Sequence, residues 1–337
     1  KILLMKPTLS NIAKKANLSI STVSRILRKK NIRNKPNEIK VLKIAREIGY
    51  PYIQLHKKKK KKKKIALILK MESGEFYPNL FNGIHYASSK SELQINLISI
   101  KNNTNDWISE IIEIINEFHA SIIFLPFLKQ KDYKYIQNRT KGKKLISLAP
   151  IPDPVIQTIS FDSYRGGYLM AKHFYDCGFN EVGIITGPTH ILEANYRKNG
   201  FLDFINSNQS INLKWIYSGD YSSLSGHKAF QNYKNEFGGK NLAVFSCNDS
   251  MAFGFIKEAI EHGFSIPKDI KIAGYDNLPT CEEIIPSLSS IHTDYNLLGK
   301  LVIQSIVNSD PNDETDPIGY FNLLPVELIK RNSTQLR

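Results

Sequence analysis

Ile20, Ser21, Thr22, Ser24 and Arg25 cluster in one short segment, Ser19–Leu27, whose other late positions, Val23, Ile26 and Leu27, are apolar. Such a set can read nucleic acid. An arginine guanidinium forks onto guanine O6 and N7, a serine hydroxyl donates or accepts, and an isoleucine meets a thymine methyl. Thr22, Ser24 and the amides of a first helical turn suit phosphate oxygens. Further along, His56 is followed by eight consecutive lysines, 57–64. Two readings stand for that tract: a solvated linker kept extended by like-charge repulsion, or a sequence-independent phosphate contact that releases counterions. The residues offer little to an enzyme. There is no Gly-x-x-x-x-Gly-Lys-Ser/Thr loop, no His-Glu-x-x-His, no Cys-x-x-Cys and no Gly-x-Ser-x-Gly. Ser225 and His227 stand two apart, a spacing that does not face on a helix. Cys177, Cys247 and Cys281 are too scattered for a disulfide framework or a metal site and read as buried thiols of a reducing cytoplasm. No enzyme activity, metal or cofactor is expected.

The elements that must carry these residues follow from capping and periodicity. Thr8 can cap a helix whose apolar face is Leu9, Ile12, Ala13 and Ala16. Asn17 suits a left-handed turn, and Ser19 can cap a second helix. Asn34 and Pro36 open a third, with Ile39, Val41, Leu42, Ala45 and Ile48 as its core and Gly49 as its stop. Two short helices joined by a tight turn, with polar residues opening the second, make a helix-turn-helix. Charge supports the division. Residues 1–64 hold 21 Lys and Arg against Glu38 and Glu47, a net of +19, whereas residues 65–337 hold 25 against 29 acids, a net of −4. The chain of 337 residues is a mildly acidic protein with a basic head, and basic heads meet nucleic acid or anionic membranes. No run approaches 18 apolar residues and no signal peptide is evident, so no membrane partner is expected.

From residue 65 onward, short apolar runs alternate with amphipathic helices, the rhythm of parallel sheets covered on both faces. The length suits two similar α/β lobes. Ligands of such lobes bind beyond the carboxyl ends of strands. Phe76 and Tyr77 follow the strand candidate Ile65–Lys70, Asn248 and Asp249 end Leu242–Cys247, and Asp276 ends Ile270–Tyr275. Asp249 reads as the cap of the next helix and Asp162 as a turn residue. One strand is expected over Tyr320–Glu327.

The head resembles the DNA-binding headpiece of the LacI/GalR repressor family. The matching residues are Thr8-Leu9-x-x-Ile12-Ala13-x-x-Ala16, Ser19-x-x-Thr22-Val23-Ser24-Arg25 and Gly49-Tyr50. The likeness continues through Phe161-Asp162-x-x-x-Gly166, Gly219-Asp220-Tyr221-x-x-x-Ser225-Gly226, Cys247-Asn248-Asp249-x-Met251-Ala252-x-Gly254 and Gly274-Tyr275-Asp276-Asn277, to about residue 331. It implies an all-α headpiece over 5–50, a Lys-rich linker or hinge over 51–64, and a periplasmic-binding-protein-like type I domain of two Rossmann-like lobes over 65–331. The N-lobe would take about 65–161 and 293–320, and the C-lobe about 162–292 and 321–331. By position, Ile20 and Ser21 fall where the family reads bases, with Arg25 beside them. Thr8, Ser19, Thr22, Ser24, Asn34, Tyr50 and Lys57, Lys58 and Lys59 complete the expected DNA surface. The chain departs from the family in its hinge, where no leucine sits late in the segment and Leu55 comes early. The family's effector positions map to Arg197, Asn248 and Asp276 for hydroxyls and to Tyr221 and Tyr295 as aromatic walls, with Phe76 and Tyr77 nearby. The resemblance implies a homodimeric cytoplasmic bacterial repressor of a sugar-utilisation operon. It would hold pseudo-palindromic operator DNA and be released by a small sugar. Leu278-Pro279-Thr280 and the 219–226 run resemble galactoside-operon repressors of the evolved-β-galactosidase type, so a galactoside is the expected effector. A different hexose, a short oligosaccharide, or a catabolite-control regulator answering a phosphorylated carrier protein are the alternatives.

Overall fold

The computed structural model describes residues 7–28, 35–50, 62–100, 107–238, 241–309 and 319–335. The chain divides into two compact units, residues 1–62 and 63–337. In the first, α1 (Leu9–Ala16) begins with a capping box: the Thr8 hydroxyl accepts from the Asn11 N–H, and the Asn11 side chain accepts from the Thr8 N–H. It ends at Asn17, at φ 56° and ψ 49°, where the Leu18 N–H returns to the Ala13 carbonyl at 3.1 Å. Ser19 then caps α2 (Ile20–Leu27), accepting from the Thr22 N–H at 3.2 Å. The third helix, α3 (Lys35–Glu47), ends at Gly49 with φ 67°. Ile12, Ala16, Val23, Leu27, Val41 and Ala45 make the core of this small unit, with Leu42 and Ile48 at its edge. Ile39, expected in that core, is 69% exposed. It stands two residues from Val41, about 200° around the helix, so burying Val41 and Ala45 turns Ile39 outward.

The second unit opens with β1 (Lys63–Leu69), α4 (Phe76–Ser88), β2 (Leu93–Ser99), α5 (Trp107–Glu117), β3 (Ala120–Phe124), α6 (Gln130–Arg139), β4 (Lys144–Ser147) and β5 (Gln157–Phe161). The chain then passes to a second lobe: α7 (Ser163–Asp176), β6 (Glu181–Thr186), α8 (Leu192–Asn206), β7 (Asn212–Ser218), α9 (Ser223–Phe237), β8 (Ala243–Ser246), α10 (Asp249–Glu261), β9 (Lys271–Asp276), the short α11 (Thr280–Glu283) and β10 (Ser289–His292). It returns for α12 (Tyr295–Asn308) and β11 (Phe321–Leu324), and crosses a third time into β12 (Glu327–Ile329). The two sheets run β11-β5-β4-β3-β1-β2 and β12-β10-β9-β8-β6-β7, parallel throughout except where β12 meets β10. Ile65–Leu69 are wholly buried, as a central parallel strand covered on both faces must be.

Two expected boundaries move. Lys63 and Lys64 pair with Leu93 and Gln94, so β1 starts inside the lysine tract rather than at residue 65. The strand expected over 320–327 is two strands, one in each sheet, with residues 321–324 in the first lobe rather than the second. Pro325 stands between them and lacks the N–H a continuous ladder would need. Cys247 and Cys281 are buried, whereas Cys177, at the C-cap of α7 where the chain turns at the surface, is exposed. Among the described residues no helix is long and apolar enough to cross a membrane.

Candidate functional site

In each sheet the order reverses beside the first strand of the lobe, β1 against β3 and β6 against β8. Loops leaving such neighbours diverge and open a crevice at the carboxyl ends. The two crevices face one another across a cavity of about 220 Å³. All seven residues expected to meet an effector line it: Phe76, Tyr77, Arg197, Tyr221, Asn248, Asp276 and Tyr295. Its walls differ in kind. The first lobe supplies aromatic rings: Phe76 meets Tyr77 at 5.2 Å, Phe124 at 5.3 Å and Tyr295 at 5.9 Å, and Phe161 meets Tyr295 at 5.7 Å. The second lobe supplies Glu193, Arg197, Asn248 and Asp276, while Lys70 and Glu72 line the cavity from the first.

Arg197 organises the polar wall. Its helix α8 crosses α7 backbone to backbone. A Cβ on Gly167 would stand 1.9 Å from the Arg197 carbonyl, and one on Gly200 1.9 Å from that of Tyr164, so only glycine permits the approach that places α8. The guanidinium lies on the face of Tyr275, its Cζ 3.7 Å from the ring centroid. Nη1 donates to the Cys247 carbonyl at 2.6 Å and Nη2 to Asp276 Oδ1 at 3.3 Å. Burial works against the guanidinium's charge, but Asp276, Tyr221 and Tyr275 outweigh it and hold the pKa above its ordinary value. Asp276 is itself pushed up by burial, with Arg197 opposing. Its backbone has φ 105° and that of Asn277 φ 52°, a strained turn that aims the carboxylate back into the cleft. Tyr221 also has positive φ, 72°, and its carbonyl accepts from Asn248 Nδ2 at 2.9 Å.

The cap of α10 expected of Asp249 is supplied by Asn248, which also lines the cavity. Asn248 caps α10, its Oδ1 accepting from the Met251 N–H at 3.0 Å. Asp249 is wholly buried behind the site and ties down the β9–β10 connection, accepting from the Leu278 N–H at 2.8 Å and the Ser290 hydroxyl at 2.7 Å. Asn248 is the half-in flanking residue, and its extended backbone lets its side chain reach the helix. Asp162 caps α7, accepting from the Arg165 N–H at 2.9 Å.

The structure adds Glu193, which lines the cavity from the first turn of α8. Burial pushes its carboxyl up to about 7. Glu193 Oε2, Arg197 Nε and the Tyr221 hydroxyl are buried without a hydrogen-bond partner among the described residues. Unmet polar groups beside an aromatic wall suit a small ligand with both a hydroxylated edge and an apolar face.

In the head, Ile20, Ser21 and Arg25 are exposed along α2 and Thr22 and Ser24 half-buried. The Ser19 hydroxyl bonds with those of Ser21 at 2.9 Å and Thr22 at 2.8 Å. Thr8 and Ser19 leave their helix-capping roles only in part free, and Tyr50 packs against the head core. Asn34, Lys57, Lys58 and Lys59 lie outside the described residues.

Residues 8–51 match the family model of bacterial regulatory proteins, lacI family, and residues 171–334 that of a periplasmic-binding-protein-like domain. The HTH-type transcriptional repressor PurR of Pasteurella multocida is 25% identical over 334 residues, covering 98% of this chain and 99% of its own. In fold, the chain is similar to the lac repressor dimer bound to operator and the anti-inducer ONPF, with a TM-score of 0.72, 22% identity and 98% and 99% coverage. It is also similar to the transcriptional regulator CelR in complex with cellobiose, with a TM-score of 0.69, 18% identity and 97% and 99% coverage. The chain thus joins a lacI-family helix-turn-helix head, matched over residues 8–51, to a periplasmic-binding-protein-like domain, matched over residues 171–334.

Proposed function

We propose that this protein is a transcriptional repressor that acts in the cytoplasm as a homodimer on pseudo-palindromic operator DNA and is released by a small sugar bound in its cleft, a galactoside in the first instance. The observation that carries the sugar reading is the pairing of the aromatic wall with the Arg197–Asp276 edge. Vicinal hydroxyls need planar donors and acceptors, and the C–H face of a pyranose needs a ring to lie against. The likeness to a repressor, to an operator-bound dimer and to a cellobiose complex supports the same reading. A headpiece this small buries little surface on DNA, so tight binding needs two on a two-fold site. Sugar that binds the closed cleft more tightly than the open one draws the lobes together and shifts the dimer away from its operator-competent state.

The test is a thermal-shift panel of galactosides, glucosides and pentoses, followed by operator release measured with each sugar that raises the melting temperature. Arg197→Ala should keep operator binding and lose release by the sugar. An Arg197→Ala protein that is still released by the same sugar concentration would overturn the assignment of the cleft.

A further inference from the structure

Glu193 is the group in the cleft whose hydrogen bonding a neutral sugar could satisfy but whose charge it could not. It is 8% exposed, lines the cavity, and its Oε2 is buried without a partner among the described residues. Arg197, one turn along the same helix, does not satisfy it: Nη1 and Nη2 are committed to the Cys247 carbonyl and to Asp276, and Nε makes no hydrogen bond to Glu193. The charged and titratable groups that act on Glu193 are Arg197 from α8 and Asp276 from β9. The Tyr221 and Tyr133 phenols are also within its electrostatic reach. His190 lines the same cavity, and at the rim Lys70 is paired with Glu72 at 3.4 Å. One guanidinium thus faces two carboxyls. An unpaired buried carboxylate is costly; a ligand hydroxyl can supply a hydrogen bond, but only a proton, or a cation brought by the ligand, neutralises the charge.

We propose that the effector is an amino sugar, or a glycoside of one, whose ammonium group pairs with Glu193 Oε2 while its hydroxyls meet Arg197, Asn248 and Asp276. The inference rests on the sugar reading above and narrows its class. An ammonium–carboxylate bond is charge-assisted and stronger than a hydroxyl contact. It is strengthened further in a cavity of low dielectric. Proton economy points the same way. Burial, the largest influence on Glu193, outweighs its own backbone N–H and Arg197 and leaves it titrating at about 7. An arriving ammonium lowers that pKa and expels the proton. Affinity for the amine therefore rises as pH passes upward through about 7, until the amine loses its own proton.

The experiment is isothermal titration of the full-length protein with galactosamine, galactose, glucosamine and glucose, and with the two N-acetylated amines. Each free amine should bind about tenfold or more tightly than its parent sugar. N-acetylation, which removes the charge and keeps the nitrogen, should abolish that margin. Glu193→Gln should close the gap in affinity between each amine and its parent sugar, whatever the parent sugar's own affinity becomes, with its ligand-free melting curve as the control for folding. Parent sugars that bind as well as the amines would overturn the proposal and leave the sugar reading standing. An amine preference that survives Glu193→Gln or N-acetylation would overturn it as well. If no sugar of any kind binds the wild-type protein, both readings fall together.

Discussion

Arg25 and Asp249 show how differently a single polar side chain acts in the two units. Arg25 is exposed near the end of α2, so its removal should barely disturb the head. Arg25→Ala should weaken operator binding by about 1–3 kcal/mol if it forks onto a guanine, while binding to random DNA changes much less. A titration against operator and scrambled duplexes reads the difference, and an equal loss on both would reduce Arg25 to a phosphate contact. Asp249 is wholly buried, and burial with the nearby Asp276 holds its pKa above the ordinary carboxylate value. The native state therefore binds this proton more tightly than the unfolded chain. Its contribution to stability is fully present below the unfolded value and is lost as pH rises through the raised native one. Asp249→Asn removes that loss, so the fall in melting temperature between acidic and neutral pH should be shallower than in the wild type. An unchanged slope would show that Asp249 ionises like an exposed carboxylate.

Between elements, one contact bridges the two lobes at the edge of the cleft. Glu75, just before α4, accepts from the Thr280 hydroxyl at 2.6 Å and from its N–H at 3.3 Å, where α11 begins. Charge-assisted bonds of this kind contribute about 1.5–3 kcal/mol. Thr280→Val keeps the N–H and deletes the hydroxyl, so it should favour the open lobes and weaken sugar binding by up to about tenfold. Operator affinity without sugar should not fall, since open lobes are the operator-competent state. Sugar affinity equal to that of the wild type would mean that the contact does not distinguish open from closed. Nothing in the sequence pairs residue 75 with residue 280, since the contact depends on how two lobes meet. What the sequence does expose is local chemistry repeated at fixed spacing. Thr8, Asn17, Ser19 and Gly49 mark the head helices because capping acts over three or four residues, and the polar residues at strand ends lie where crevices must open. Glu193 escapes that logic. A glutamate four residues before an arginine reads as a solvent-facing helical pair, yet Arg197 turns instead to Asp276 across the sheet. Ile39 and the split of 320–327 escape for related reasons: composition says apolar, and only the phase of α3 and the position of Pro325 say where.

Across the whole chain the charge is divided between two jobs, +19 over residues 1–64 and −4 over the rest. The structure sharpens where the division falls. Lys63 and Lys64 are ladder residues of β1, hydrogen-bonded in register with β2, so the part of the lysine run available to act as a tether ends at about Lys62. A Gly/Ser replacement of residues 57–62 that spares Lys63 and Lys64 therefore tests the tract without damaging the sheet. If these lysines lie against phosphates, each contact removed should lower the slope of log affinity against log salt by about 0.9. Affinity should fall by the same factor on operator and random duplex, because counterion release carries no sequence information. The specificity ratio would then be unchanged, the reverse of the Arg25→Ala result, and the two variants together would separate base reading from electrostatic anchoring. A salt slope equal to that of the wild type would instead make residues 57–62 a solvated spacer and leave base and phosphate contact to the helix-turn-helix alone.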